Sequence, residues 1–330
     1  LIGDLDIEQL LKMKELQNLV SLNDKKLLVV LPIKKASDVF LKESSFALAQ
    51  QNQPIDLLVV YGGESEEELN LIKNIFDKPS IVVNERETPD SPVVEKVIEA
   101  SGSLNYVIEK TTNHTFQTIF NEALNYAIVN KYEYFSVIEP EDVVDTNWYQ
   151  TVMKYIAKKD GLDGFFPLTK EISNGNFLGF FNEACWVDGF AEVAGTFDLQ
   201  LLMRFNCMNI TGSVFKTESI KTHSTEIDGQ YKAVKEAFKV SYAYEFFLRM
   251  IYNDLKFYTI PRIGYEHRID IPSEIVEPFS SKIPRNISIW PEDKGGISQE
   301  EVKFWVDAAK KEYFIGRHDR PLKYEKKAVA

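Results

Sequence analysis

The apolar and polar positions open with a helical stripe and then alternate between β-type and helical segments. Between residues 7 and 22, Ile7, Leu10, Leu11, Leu16 and Leu19 recur at helical spacing, which predicts an amphipathic N-terminal helix ahead of the core domain. Residues 27–31 are continuously apolar and run into Pro32, the pattern of a strand covered on both faces, as in a parallel sheet. Residues 37–51 read as a helix with Ser37 as N-cap. Residues 56–61 read as a second strand, broken by Gly62-Gly63. Ser65 with Glu68 three positions later forms a capping-box pattern for a helix to about Phe76, and residues 80–84 make a third β-type run. Strand and helix alternating at this spacing predict right-handed crossovers in a doubly wound sheet.

Further along, residues 93–100 read as helix, 106–108 as a short strand and 115–129 as a helix through Phe116, Ile119, Phe120, Ala123, Leu124 and Ala127. A fourth strand at 134–138 ends directly at Glu139-Pro140-Glu141-Asp142. The texture then changes. A helix is expected at 146–156, a short strand at 164–167, irregular strands and loops at 174–198, and a long helical stretch at 231–252. Short strands at 257–260 and 263–267 are split by Pro261, and Ser298 with Glu301 opens a helix at about 299–313. The predicted class is α/β, with a Rossmann-like, mostly parallel central sheet flanked by helices and a smaller mixed region. The expected organisation is an N-terminal helix in 1–25, then 26–145 and 146–270 as two halves of one compact domain, and a C-terminal extension in 271–330.

Composition narrows the function more than the fold. With 330 residues, 44% of them hydrophobic, the chain can bury a sizeable core, and disordered and fibrous classes are excluded. A net charge of -12 gives no overall field to steer the chain toward nucleic acid. The same charge means that carboxylates near a diphosphate would need a divalent cation between them. Cys185 and Cys207 supply neither a zinc motif nor a disulfide framework. No apolar run is long enough to span a membrane, and the first nine residues lack the shape of a signal peptide, so a soluble cytoplasmic protein is expected.

The acidic corner at 139–142 carries the strongest chemical signal. In open α/β sheets, ligands sit beyond the carboxyl ends of the strands, and Pro140, with its fixed φ, suits a sharp turn presenting Glu139 and Glu141 to a shared point. Carboxylate oxygens favour Mg²⁺ and Mn²⁺, which makes Glu139 and Glu141 candidate ligands and Asp142 a third ligand or an outer acceptor. The same acids would also suit a solvated helix N-terminus. His267, in Tyr265-Glu266-His267-Arg268, could complete a metal shell or be structural, and Arg268 could meet a diphosphate. Tyr61 could stack on a base where Gly62-Gly63 allow close backbone approach, or the segment could be an ordinary turn.

In this order, the segments from Lys26 to Arg268 resemble the family 2 glycosyltransferases and their relatives with the GT-A fold. Leu28-Val29-Val30-Leu31-Pro32 resembles the strand that opens the nucleotide site, and Gln50 to Pro54 the turn after the next helix. Asn121-Glu122-Ala123 is similar to the family's Asn-x-Ala/Gly element. Glu139-Pro140-Glu141-Asp142 lies in register with its Asp-x-Asp-Asp metal motif, with Glu for the first two acids. Ile210-Thr211-Gly212-Ser213-Val214-Phe215 resembles the acceptor-side segment, and Tyr244-Glu245-Phe246-Phe247-Leu248-Arg249 the acid-bearing helix that ends in arginine. Tyr265-Glu266-His267-Arg268 lies where a late histidine often binds the metal. Two departures stand out: Tyr61-Gly62-Gly63-Glu64 replaces acids that read the base, and the family's catalytic acid lies about two residues further from the arginine than Glu245 does.

The resemblance implies metal-dependent transfer of a sugar from a nucleoside diphosphate sugar, a UDP-sugar foremost, to an acceptor hydroxyl with inversion. Glu245 would be the general base. Mn²⁺ or Mg²⁺ would be held by Glu139, Glu141, Asp142 and His267, and the donor by Pro32, Tyr61, Glu64, Asn121, Glu139 and Arg268. The competing classes are a non-catalytic module of the same type and a nucleotidyltransferase. A nicotinamide oxidoreductase is disfavoured, because no Gly-x-Gly-x-x-Gly turn follows the first strand.

Overall fold

The computed structural model describes residues 27–85, 93–112, 115–173, 175–186, 191, 193–198, 201–202, 209–236 and 242–268. The helices expected at 7–22 and 299–313 lie outside the described residues. Strand β1 (Leu27–Ile33) is buried at every position, because it pairs in parallel with β2 (Asp56–Tyr61) on one side and β6 (Tyr134–Val137) on the other. Beyond β2 lies β5 (Asn105–Lys110), also parallel. Beyond β6 lies β10 (Val214–Lys216), antiparallel both to β6 and to β8 (Gly164–Ser173). Strand β8 continues in parallel onto β13 (Phe257–Arg268), on which β7 (Val143–Val144) closes antiparallel. The order is therefore β5-β2-β1-β6-β10-β8-β13-β7, with β9 (Asn176–Phe181) attached to β8. This is the expected mostly parallel, Rossmann-like sheet of GT-A type, and it runs without interruption through both halves of the chain.

Helices cover both faces. On one side α1 (Asp38–Ala49), α2 (Glu66–Asp77) and α4 (Trp148–Lys158) bury their apolar stripes against alternate strand residues such as Val29, Leu31 and Val59. On the other side α3 (Phe116–Val129), α5 (Thr217–Thr222) and α6 (Tyr242–Tyr252) pack on Leu28, Val30 and Phe135. Phe120 centres this layer, with ring centroids 5.3, 5.6 and 5.5 Å from Phe135, Phe215 and Phe246. Such edge-to-face pairs each add about 0.5–1.5 kcal/mol beyond area burial. At the start of α2 the Ser65 hydroxyl accepts from the Glu68 N–H, half of the expected capping box. The Glu68 carboxylate accepts instead from the Tyr61 hydroxyl at 2.8 Å. Ser37 stands at the α1 N-cap without a side-chain bond.

Three expectations are corrected. The segment 93–100 is a strand, β4 (Val94–Glu99), paired antiparallel with β3 (Ser80–Glu85) in a separate two-stranded ribbon. Valines at 93, 94 and 97 mimic a helical stripe, but their β-branching favours extended backbone, and they stay exposed on the ribbon. The third β-type run thus stands outside the main sheet, and β5 lies beside β2. Second, 231–252 is not one helix: β11 (Thr225–Ile227) and β12 (Gln230–Lys232) form a hairpin, and the described helix is α6 over Tyr242–Tyr252. Side chains of α3 hold the backbone at Tyr231 and Val234. Asn121 donates to the Val234 carbonyl and accepts from its N–H, both at 2.9 Å, and Asn125 does the same for Tyr231 at 2.9 and 2.8 Å. Third, Pro261 does not end a strand. The chain bulges around Ile263 and β13 resumes, with Gly264 packed so closely on Trp148 that a Cβ would lie 2.4 Å from its ring.

Replacing Asn121 with alanine orphans the backbone N–H and carbonyl of the fully buried Val234. Each orphan costs on the order of 1–3 kcal/mol. The urea midpoint of Asn121→Ala is expected to fall well below that of Asn125→Ala, whose partner Tyr231 is only half-buried. Equal midpoints would show that the two amides are not the clamp.

Candidate metal centre

Strand β6 delivers its carboxyl end to the acidic turn. Ile138 still bonds to β1, its N–H donating to the Val30 carbonyl at 3.0 Å. The chain then reverses, with the Asp142 N–H donating to the Glu139 carbonyl at 3.1 Å. Glu139, Glu141 and Asp142 are each only 1% exposed. They do not splay into solvent as acids of a solvated helix N-terminus would.

The partners come from β13. His267 Nδ1 donates to Asp142 Oδ2 at 2.7 Å and lies 3.9 Å from Glu139 Oε2. The Arg268 N–H donates to the other Asp142 oxygen at 2.8 Å. Ligand atoms of Glu139, Asp142 and His267 lie within 4.8 Å of one another, the one such group found among the described residues. Two carboxylates and an imidazole suit a divalent cation that accepts oxygen and nitrogen, such as Mn²⁺. The cation's charge would also offset two carboxylates withdrawn from water, which is otherwise costly. Glu141 shares the turn and the burial but falls outside this triad.

Tyr265, which the sequence reading left without a role, lies beneath the cluster. Its hydroxyl accepts from the Glu139 N–H at 3.0 Å. Burial first, then the charges of Asp142 and Glu139, hold its pKa well above the ordinary value. Its ring lies where a Cβ on Gly212 would come within 2.5 Å, and Gly212 has φ +73, so this turn beside β6 requires glycine. The signal was legible: Tyr265 stands two residues before His267 in a strand and therefore shares its face.

The other expected residues lie as follows. Pro32 sits in β1 opposite Val60, and Glu64 is exposed in the turn after β2. Tyr61 is fully buried, against the expectation that it stacks on a base: its ring packs under Gly63 and its hydroxyl binds Glu68 and the Ser65 carbonyl. Asn121 spends its carboxamide on Val234. The Arg268 guanidinium pairs with Glu43 at 2.6 Å and approaches Glu266 at 3.6 Å. Glu245 is fully buried, 3.0 Å from Arg249 Nε and 3.6 Å from Lys235. Arg249 in turn donates to the carbonyls of His223 and Ala233. In this arrangement Glu245 anchors α6 to the hairpin segment and turns no oxygen to solvent.

Together the sheet and the cluster define an α/β protein of GT-A type with a buried acid–histidine centre at the carboxyl end of its central strands. No family model matches the chain, and no curated protein matches it. Among solved structures it is similar to S. aureus TarS, at 14% identity and a TM-score of 0.50 over 74% of this chain and 37% of that one. It is likewise similar to TarS 1–349 in complex with UDP (13% identity, TM-score 0.50, 74% of this chain and 61% of that one). The match to TarS 1–349 in complex with UDP-GlcNAc has 12% identity and a TM-score of 0.50, over 75% of this chain and 59% of that one. At such identity the likeness speaks for the fold, and the chain spans less than two thirds of each of these relatives.

The tyrosines give a pH signature. Burial, then the Glu68 carboxylate, pushes Tyr61 up to about 12, and burial raises Tyr265 as well. The folded state thus keeps both neutral where the unfolded chain ionises, near pH ~10. Their contribution is complete below that value and is lost as pH climbs through the folded pKa values. Urea midpoints measured between about pH 9 and 12 are expected to fall, and Tyr61→Phe to flatten the fall. An identical slope in the variant would count against this account.

Proposed function

We propose that this protein is a glycosyltransferase that binds a nucleoside diphosphate sugar, a UDP-sugar foremost, through a divalent cation and transfers the sugar to an acceptor hydroxyl with inversion. The observation that carries the reading is the convergence of Glu139, Asp142 and His267, all buried, at the carboxyl edge of the sheet. The GT-A type fold and the likeness to a protein solved with UDP and with UDP-GlcNAc support it.

In this reading Glu139, Asp142 and His267 hold Mn²⁺ or Mg²⁺. A bound cation would supply charge neutralisation for the donor diphosphate as the bond to the sugar breaks. The chain's own residues set the geometry. Tyr265 fixes the Glu139 backbone, the Arg268 N–H fixes the Asp142 carboxylate, and Pro140 stiffens the turn between the two acids. Glu141 shapes the same turn beside the triad. Glu245 acts by holding the 223–234 segment against α6, and proton removal by it, as the resemblance implies, would require Arg249 to release it. That pairing favours a second reading, a module that binds a donor without transferring it.

A thermal-shift panel of nucleoside diphosphate sugars with and without Mn²⁺ tests the proposal. A donor at 100 times its Kd is expected to stabilise the fold by about 2.7 kcal/mol, and only with the metal. Asp142→Asn is expected to remove the metal-dependent part while the metal-free melting point stays near wild type. Donor stabilisation that ignores Mn²⁺, or survives intact in Asp142→Asn, would overturn the metal assignment. Release of nucleoside diphosphate from the stabilising donor separates enzyme from binding module.

A further inference from the structure

The amino end of β6 carries a cavity remote from the acid–histidine centre at its carboxyl end. The cavity has a volume of about 400 Å³, within the range of small-molecule sites, about 300–1,000 Å³. Its walls come from the end of α3, the start of β6 and the start of α5. Tyr134 lines it, and the chain from Tyr134 to Glu139 spans roughly 16 Å at the parallel-strand rise of about 3.3 Å per residue. Backbone bonds fix these walls. At the end of α3 the Tyr132 N–H donates to the Ala127 carbonyl at 2.8 Å and the Lys131 N–H to the Ile128 carbonyl at 3.2 Å, which closes a left-handed helix cap. The Thr217 N–H donates to the Glu133 carbonyl at 2.9 Å and so ties α5 to the turn behind α3.

The residue in the left-handed position of that cap is Lys131, with φ +60. Glycine is the usual occupant, because a Cβ is unfavourable there. The chain thus accepts a backbone cost and gains an ammonium group on the rim. Lys216, opposite Tyr134 in the β10–β6 register, and Lys221 line the same cavity. Lys221 is engaged, 3.3 Å from Glu218 and 5.6 Å from the centroid of the Tyr231 ring. Lys131 and Lys216 have no ion pair or side-chain hydrogen bond among the described residues. Glu133 is the other acid of the rim, so lysines outnumber acids here, in a chain whose net charge is -12. Ala127, Ile128 and the ring of Tyr132 supply an apolar wall. Thr217, 4% exposed, adds a buried hydroxyl without a hydrogen-bond partner, a group that gains from an acceptor oxygen brought within reach. We propose that this cavity binds a small phosphate monoester, its phosphate between Lys131 and Lys216 and its organic body on Ala127, Ile128 and Tyr132. Lysine serves phosphate as a point charge, and a phosphate dianion can take both ammonium groups at once. Glu139, Asp142 and His267 play no part in this site, which is independent of the metal reading.

The test is calorimetric titration of metal-free protein with inorganic phosphate and with phenyl phosphate at fixed ionic strength, in wild type, Lys131→Gly and Lys216→Gln. Wild type is expected to bind both, and phenyl phosphate more tightly, because its ring covers the apolar wall. Each substitution is expected to weaken phenyl phosphate about tenfold or more, the loss of one hydrogen bond to a charged group. Lys131→Gly also relieves the left-handed backbone, so its melting temperature is expected at or above that of wild type, and its lost affinity is then not lost folding. Wild type that binds neither phosphate overturns the proposal. Unchanged affinity in either variant does so too, since it places the anion elsewhere, and so does phenyl phosphate binding no more tightly than inorganic phosphate. No metal is present in the titration, so failure here leaves the reading of the acid–histidine centre untouched.

Discussion

The turn between β6 and β7 is too short for a flat sheet, and that constraint organises the site. Three strands, β10, β8 and β13, lie between β6 and β7 in the sheet order. Four spacings of about 4.8 Å would separate their ends by roughly 19 Å in a flat sheet. The chain from Val137 to Val143 reaches about 20 Å only when fully extended, and here it is a turn closed by the Asp142 to Glu139 backbone bond. The far end of β13 must therefore curl back over the carboxyl ends of the inner strands. The bulge around Ile263 and the close seat of Gly264 on Trp148 supply the bend. His267 reaches Asp142 as a consequence of this curl.

Curling brings an electrostatic cost with it. Glu139, Glu141 and Asp142 lose almost all contact with water, and a buried carboxylate without compensation costs several kcal/mol. Asp142 is compensated on both oxygens, by the His267 ring and the Arg268 N–H. The Glu139 backbone is compensated by the Tyr265 hydroxyl. The result is a buried cluster of two carboxylates and a histidine. It is built to gain from a divalent cation, and the whole-chain charge of -12 adds to that bias.

Much of this was legible in the sequence, for identifiable reasons. The apolar runs of β1 and β2 announce central strands because both of their faces are covered. The acids after β6 announce a site because core strands do not end in three carboxylates without cause. His267 could be paired with them because the resemblance fixed the order of segments. What stayed hidden depends on long-range partners. Residues 93–100 and 231–241 carry helix-like spacing, yet one segment pairs with β3, and the described part of the other lies under the amides of Asn121 and Asn125. Tyr61 reads as an exposed aromatic after a strand, and only the fold reveals that Gly63 closes over it.

The same limit governs the charged residues, and it bears on mechanism. Glu139 and Glu245 are both buried glutamates, and nothing in their local sequence ranks one above the other as chemistry. Their partners do. Glu245 sits one helical turn before Arg249, where an i, i+4 pair forms within the helix itself, and Arg249 extends the bond network to the carbonyls of His223 and Ala233. Its charge is thereby matched by a protein cation. Glu139 faces Asp142 and the His267 ring, with ligand atoms gathered closely enough to share one cation. Arg268 falls on the structural side of the same division, tied to Glu43 across the curl of β13. The fold thus ties Arg249 and Arg268 into its frame and gathers Glu139, Asp142 and His267 at the carboxyl edge, which is where a cation and a diphosphate would have to meet.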